Sequence, residues 1–174
     1  RTMTSNGMTP EEFAVQTNVS RETLARLEIY AALLTKWQRR MNLVGPATLP
    51  DLWRRHFWDS AQLAPLLPSM DIELLDFGSG AGFPGLVLAV MGVRTVHLVE
   101  ANTRKCAFLR EAARETGVNV HIHNTRIEDM TPWPVDVVTA RALAPLPSLV
   151  KFALPYMAPS SICLFLKGKR FKDE

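Results

Sequence analysis

The chain has 174 residues, 47% hydrophobic and 21% charged, with 12 prolines and 9 glycines. That balance excludes a disordered or low-complexity chain. The length fits one domain, able to bury roughly 70% of its unfolded surface without disulfide or metal staples. The net charge of +3 hides a pattern: residues 1–70 carry +2, residues 71–130 carry −2 and residues 131–174 carry +3. Basic ends suit contact with a polyanion, or plain solvated surface.

The longest nearly unbroken apolar run, Phe83 to Val93, is far short of the roughly 18 residues that span a bilayer. The polar first twenty residues, with Glu11 and Glu12, lack the pattern of a secretory leader. Cys106 and Cys163 are too few for a disulfide framework or a four-cysteine zinc site. A cytoplasmic, monomeric protein is expected, with no membrane contact and no metal.

In chain order, Thr9-Pro10-Glu11-Glu12 opens a helix with a capping box. From Ser20, Leu24, Leu27, Ala31, Leu34 and Met41 keep helical spacing, and Gly45-Pro46 closes the pattern. Thr48-Leu49-Pro50-Asp51 starts a third helix through Arg54, Arg55 and His56, and a short one follows from Asp59 towards Leu67. Residues 1–70 therefore read as an all-helical extension.

From Asp71 short apolar strands alternate with helices. Strands are predicted at Glu73–Phe77, Thr95–Val99, Val118–His123, Val135–Thr139 and Ser161–Leu166. Helices are predicted at Pro84–Met91, Arg104–Thr116 and roughly Ser148–Met157, with Gly117 as a C-cap. The alternation predicts a parallel sheet covered on both faces, over 71–174. The connector 68–71 is too short to separate independent domains, so one compact unit is expected.

The chemistry lies in Asp76-Phe77-Gly78-Ser79-Gly80-Ala81-Gly82-Phe83-Pro84-Gly85, between the first strand and the next helix. The dinucleotide fingerprint G-x-G-x-x-G needs glycine at 83 and meets Phe83 instead. The pattern D-x-G-x-G-x-G is complete in Asp76, Gly78, Gly80 and Gly82. It resembles motif I of the S-adenosylmethionine-dependent methyltransferases. Glu100 ends the second strand, where an acidic side chain can accept from both ribose hydroxyls. Ile127 and Glu128, after the third strand, are candidates for the adenine edge; Glu128 equally suits a solvated turn.

The fourth strand leads to Thr139-Ala140-Arg141-Ala142-Leu143-Ala144-Pro145. It lacks the Asn/Asp-Pro-Pro-aromatic motif of adenine-N6 enzymes. Cys106 falls in a helix and Cys163 in a strand, so neither reads as a nucleophile. Arg141 is the only charged group there, a candidate for positioning substrate or cofactor. With no acid or base in view, guanine N7 is a fitting acceptor, because its lone pair attacks without losing a proton. An arginine could then donate to O6 while N7 stays free.

Across nearly its whole length the sequence resembles the bacterial 16S ribosomal RNA guanine-N7 methyltransferases, also called glucose-inhibited division protein B. The resemblance is carried by Trp37 through Asn42-Leu43, by Arg55-His56 with Asp59-Ser60, and by Asp76 to Gly85. It continues in Leu98-Val99-Glu100-Ala101, in Lys105 with Phe108-Leu109-Arg110, and in Arg126-Ile127-Glu128. Ala140-Arg141-Ala142 and Leu166-Lys167-Gly168 complete it. It implies a class I, Rossmann-like methyltransferase fold with a helical N-terminal extension. It also implies S-adenosylmethionine as methyl donor and one guanine of the 530 loop, in 16S rRNA or the small ribosomal subunit, as acceptor. Asp76, Gly78, Gly80, Gly82, Phe83, Glu100, Ala101, Ile127, Glu128 and Arg141 are then expected at the cofactor.

Arg55, His56, Asp59 and Ser60 are expected to order the site or hold RNA, although His56 and Asp59 also suit a hydrogen-bonded pair joining helices to sheet. Lys167, Lys169, Arg170 and Lys172 form a basic cluster suited to phosphate or to a solvated tail. Arg39-Arg40 and Arg54-Arg55 add charge on the helical side, and Phe57 and Trp58 are candidate stacking partners. His121 and His123 share one face of a strand without a completed metal set. The resemblance implies seven strands ending in an antiparallel hairpin; with five predicted here, the hairpin is expected to be missing from this sequence, either because the sequence is truncated or because the last strands are absent. The alternatives are a same-fold methyltransferase for a small molecule or another base, a nicotinamide-dependent dehydrogenase, and a non-catalytic RNA-binding protein that keeps the cofactor loop.

Overall fold

The computed structural model describes residues 7–142 and 144–167, the side chains of Ala142 and Lys167 excepted. Lys169, Arg170 and Lys172 of the basic cluster therefore lie outside the described residues, as does the Lys167 side chain.

Helix α1 (Pro10–Thr17) starts with the expected capping box: Thr9 Oγ1 accepts from the Glu12 amide, and Glu12 Oε2 accepts from the Thr9 amide. Helix α2 (Arg21–Gln38) is capped by Ser20 and buries Leu27, Tyr30 and Leu34 on one stripe. It ends at Gln38, short of the expected Gly45-Pro46. The Gln38 side chain accounts for this: Oε1 accepts from the amides of Leu43 and Val44 at 3.0 and 3.1 Å, and Nε2 donates to the Val44 carbonyl at 2.9 Å. The amide satisfies the loop backbone that a longer helix would otherwise pair.

The expected third helix is a 3-10 turn (Leu49–Asp51), a π-helical turn (Trp53–Trp58) and the short α3 (Asp59–Ala61). The predicted Asp59–Leu67 helix is thus split between α3 and a 3-10 turn, Ala64–Leu66.

Five parallel strands follow: β1 (Glu73–Phe77), β2 (Thr95–Val99), β3 (His121–His123), β4 (Val135–Ala142) and β5 (Met157–Lys167), in the order β3-β2-β1-β4-β5. Helix α4 (Gly85–Met91) links β1 to β2, α5 (Thr103–Thr116) links β2 to β3, and α6 (Leu146–Ala153) precedes β5. Between β1 and β4 the chain reverses its winding, and the crevice at such a switch point is where ligands of open α/β sheets bind.

Three predicted strands change length, β5 among them: it begins at Met157, paired with Val135 of β4, and not at Ser161. β3 is shorter because the Val118 amide closes α5 on the Ala113 carbonyl, with Gly117 left-handed at the C-cap. β4 runs past Thr139 because Arg141 and Ala142 still pair with Leu166 and Lys167 of β5. Arg141 therefore stands on a strand end and not on a loop. One core joins the sheet to α2, α4 and α5 through Leu27, Tyr30, Leu86, Val96 and Phe108; the second, on the other face, gathers Leu75, Val138, Leu149 and Tyr156.

Candidate cofactor and substrate site

A cleft of about 350 Å3 opens at the carboxyl ends of β1, β2 and β4. Gly78, Glu100, Ala101, Ile127, Glu128 and Arg141 line it, as the sequence suggests for each. Gly78 has φ +64°, and a Cβ built there would meet nothing within 4 Å. Its bare backbone leaves room for a ligand to approach closely.

Glu100 is fixed by its own loop. Oε1 accepts from the Gly80 amide at 2.9 Å and Oε2 from the Asn102 amide at 2.6 Å. Each carboxylate oxygen keeps a further lone pair, so an acceptor held in place borders the cleft. The Asn102 side chain in turn caps α5, accepting from the amides of Arg104 and Lys105.

Four expected cofactor residues do not line the cleft. Asp76 is fully buried below the loop, where Oδ1 accepts from Thr139 Oγ1 at 2.8 Å while Ser79 Oγ donates to its main-chain carbonyl; burial pushes its carboxyl up to about 6. Gly80 lends its amide to Glu100. Gly82 is buried with φ +99°, and a Cβ there would lie 2.7 Å from Leu86 Cβ. Phe83 is also buried, stacked on Tyr30 with centroids at 5.5 Å and on His56 at 4.9 Å. Tyr30 donates to the Ala81 carbonyl. These residues shape the loop that borders the cleft.

Arg141 borders the cleft with its guanidinium 5.3 Å from the Phe83 ring centroid. Its Nη2 donates to His56 Nδ1 at 2.6 Å, while His56 Nε2 lies 2.8 Å from Thr48 Oγ1, which donates to the Gly45 carbonyl. Donor bookkeeping fixes the imidazole: Nδ1 accepts from Arg141, so the proton sits on Nε2 and goes to Thr48. Burial, reinforced by the charges of Arg141 and Arg55, pushes the His56 imidazole down to about 3.

The structure separates the four residues expected to order the site or hold RNA. Arg55 is exposed, Asp59 is half-buried, and His56 and Ser60 are buried, so the last two have no surface to offer RNA. The Asp59 carboxyl is raised by burial and partly restored by Arg141 and Arg55. His56 pairs with Arg141 and Thr48, which replaces the expected pair with Asp59. Phe57 is fully buried among Tyr30, Trp53 and Phe83, which removes it as a stacking partner for RNA.

Sequence reasoning missed the cleft's apolar walls, Phe77, Val99, Leu149 and Phe152. Leu149 and Phe152 come from α6, which reads from sequence only as sheet cover; their spacing of three, which puts them on one helix face, was the available signal. His121 and His123 stack with or bond to His97. No group of three or more His, Cys, Asp or Glu able to hold a metal occurs among the described residues. No helix among them is long and apolar enough to cross a membrane.

The donor set fits S-adenosylmethionine: a fixed carboxylate for ribose, an open glycine, an apolar wall for an adenine ring, and an arginine at the far side. Comparison with known proteins agrees. The fold is shared with the ribosomal protein L11 methylase of Lactobacillus delbrueckii subsp. bulgaricus, at TM-score 0.55 and 16% identity over 62% of this chain and 57% of that one. It is shared with Pyrococcus horikoshii TYW2, solved with MeSAdo, at TM-score 0.56 and 18% identity over 70% of this chain and 44% of that one.

Sequence relatives are nearer. The Ribosomal RNA small subunit methyltransferase G of Paramagnetospirillum magneticum is 60% identical over 167 residues, 96% of this chain and 82% of the relative. Its namesake in Rhodospirillum rubrum is 59% identical, covering 96% and 83%. Residues 23–174 match the family described as GidB, rRNA small subunit methyltransferase G. The chain therefore belongs to the rRNA small subunit methyltransferase G family, whose members use S-adenosylmethionine.

Proposed function

We propose that the protein methylates N7 of one guanine in the 530 loop of 16S rRNA, in the cytoplasm and as a monomer. The observation that carries this reading is the cleft at the β1/β4 switch point, lined by both the fixed Glu100 carboxylate and the Arg141 guanidinium. When bound, S-adenosylmethionine supplies an electrophilic sulfonium methyl that the N7 lone pair accepts without releasing a proton.

The chain's task is then alignment and field rather than proton transfer. His56, the imidazole beside Arg141, is unsuited to act as a base: both ring nitrogens are engaged and its basicity is depressed. One of the five N–H groups of Arg141 is spent on His56. The remainder of the guanidinium is held over Phe83 to donate to the cofactor or to guanine O6. Gly78, Glu100, Ala101, Ile127 and Glu128 would hold the cofactor, and Arg55 and Asp59 would meet the approaching RNA. A base inside a stem cannot reach such a cleft, so the target guanine must be unpaired or splayed out.

The test is transfer of label from methyl-labelled S-adenosylmethionine to 16S RNA, 23S RNA and transfer RNA offered separately. Label confined to 16S RNA is expected. Transfer to a small molecule or to every RNA alike overturns the substrate reading, and cofactor binding with no transfer overturns catalysis.

A further inference from the structure

We infer that a second cavity, between the end of α2 and the start of α5, takes backbone phosphates of the same RNA whose guanine enters the cleft. This rests on the RNA methyltransferase reading above. The cavity measures about 700 Å3, twice the cofactor cleft. Lys36, Arg39 and Arg40 line it from α2 and its C-terminal turn, Arg104 lines it from α5, and no carboxylate does. All four cations are exposed, and among the described residues none has a carboxylate oxygen within 4.0 Å.

The helix ends sharpen the point. Lys36 and Arg39 at the close of α2 are partly explained by the helix dipole, which favours cations there. Arg104 is not. It stands in the first turn of α5, where the dipole disfavours a cation, and that turn contains no acid. Its Nη2 reaches the Arg40 carbonyl at 3.4 Å, which brings the fourth positive charge across to the other three. Four like charges without a salt-bridge partner among the described residues, gathered against mutual repulsion and, for Arg104, against the dipole as well, call for a polyanion. Trp37, also in the wall, is braced edge-on by Phe108 at 5.6 Å and offers a rigid indole beside the cations. The location suits RNA already engaged in the cleft: Glu100 and Ala101 line the cleft, and Arg104 lines the cavity within the same β2–α5 segment.

The test is equilibrium binding of protein-free 16S RNA, and of intact small subunits, across a range of salt. The Arg39→Gln/Arg40→Gln/Arg104→Gln variant is expected to bind both about tenfold or more weakly at ~0.1 M salt. Its log–log salt slope should be shallower by about 2, at roughly 0.7 per lost contact to single-stranded RNA. Affinity for S-adenosylmethionine should not change. Arg39→Lys/Arg40→Lys/Arg104→Lys should keep the slope, and Arg21→Gln/Arg26→Gln, at the other end of α2, should match the wild type. Wild-type affinity and slope in the triple glutamine variant overturn the proposal, as does an equal loss in the Arg21/Arg26 control. Loss confined to intact subunits would assign the cavity to a ribosomal protein and overturn the RNA contact. If the wild type methylates 16S RNA while the triple variant binds normally, only the cavity falls. If RNA binding depends on the cavity but no methyl group is transferred, only the catalytic reading falls.

Discussion

Arg141 Nη2 and His56 Nδ1 meet at 2.6 Å, tying the end of β4 to a π-helical turn 85 residues earlier in the chain. The helical N-terminal part thereby sets the position of a side chain that borders the cofactor cleft. His56→Ala removes the acceptor and the ring stacked on Phe83, and should lower kcat for methyl transfer about 10- to 100-fold. His56→Asn keeps an acceptor near the Nδ1 position and should recover most of the loss. Single-turnover rates for the two variants check this; equal rates would deny His56 a positioning role.

The same imidazole makes a pH prediction. Its folded pKa, about 3, lies below the ordinary 6.5, so between those values the unfolded chain binds a proton that the folded chain refuses. The stability this group contributes is complete above pH 6.5 and is lost as pH falls towards 3, at about 1.4 kcal/mol per pH unit. Urea unfolding of wild type and His56→Asn from pH 7 to pH 4 isolates it. The gap between the two curves should shrink steadily on acidification; a constant gap contradicts the buried neutral imidazole.

The glycine loop separates space for a ligand from space for packing. Gly85→Ala would set a Cβ 2.5 Å from Leu98 Cδ2 and 2.7 Å from Asp76 Cβ, and should cost about 1–3 kcal/mol of stability. Gly78→Ala meets no protein atom but sits at φ +64°, so about 1–2 kcal/mol is expected. Only the Gly78 variant should lose S-adenosylmethionine affinity in proportion beyond its stability loss. Thermal melts with and without cofactor distinguish the two.

Glu100→Gln keeps one acceptor oxygen and turns an NH2 group towards a backbone amide of Gly80 or Asn102. About 1–3 kcal/mol of stability should go with the lost bond. Cofactor affinity should fall at least tenfold, since the loop and a ribose acceptor are disturbed together. Titration calorimetry checks it.

Much of this site was legible before any coordinates. The spacing of Asp76, Gly78, Gly80 and Gly82 located the loop, and apolar runs located β1 and β2 at their observed bounds. What sequence could not give was direction. Local pattern does not reveal that Asp76, Gly82 and Phe83 point into the core while Gly78 faces the cleft. Nor does it reveal that His56 turns to Arg141 rather than Asp59, because that contact depends on how α2 and the π-helical turn dock on the sheet. Gln38 is a smaller case: a good helix former whose side chain ends its own helix.

Base-free methyl transfer to one exposed guanine N7 leaves a cationic base that can be located in the RNA. The most direct measurement is strand scission of 16S RNA at 7-methylguanine after incubation with the protein and S-adenosylmethionine, read against untreated RNA lacking the modification. One new cleavage is expected, at a guanine of the 530 loop, abolished when the cofactor is omitted. Incorporated methyl label with no cleavage at any guanine would contradict it, because the methyl would then sit on another atom.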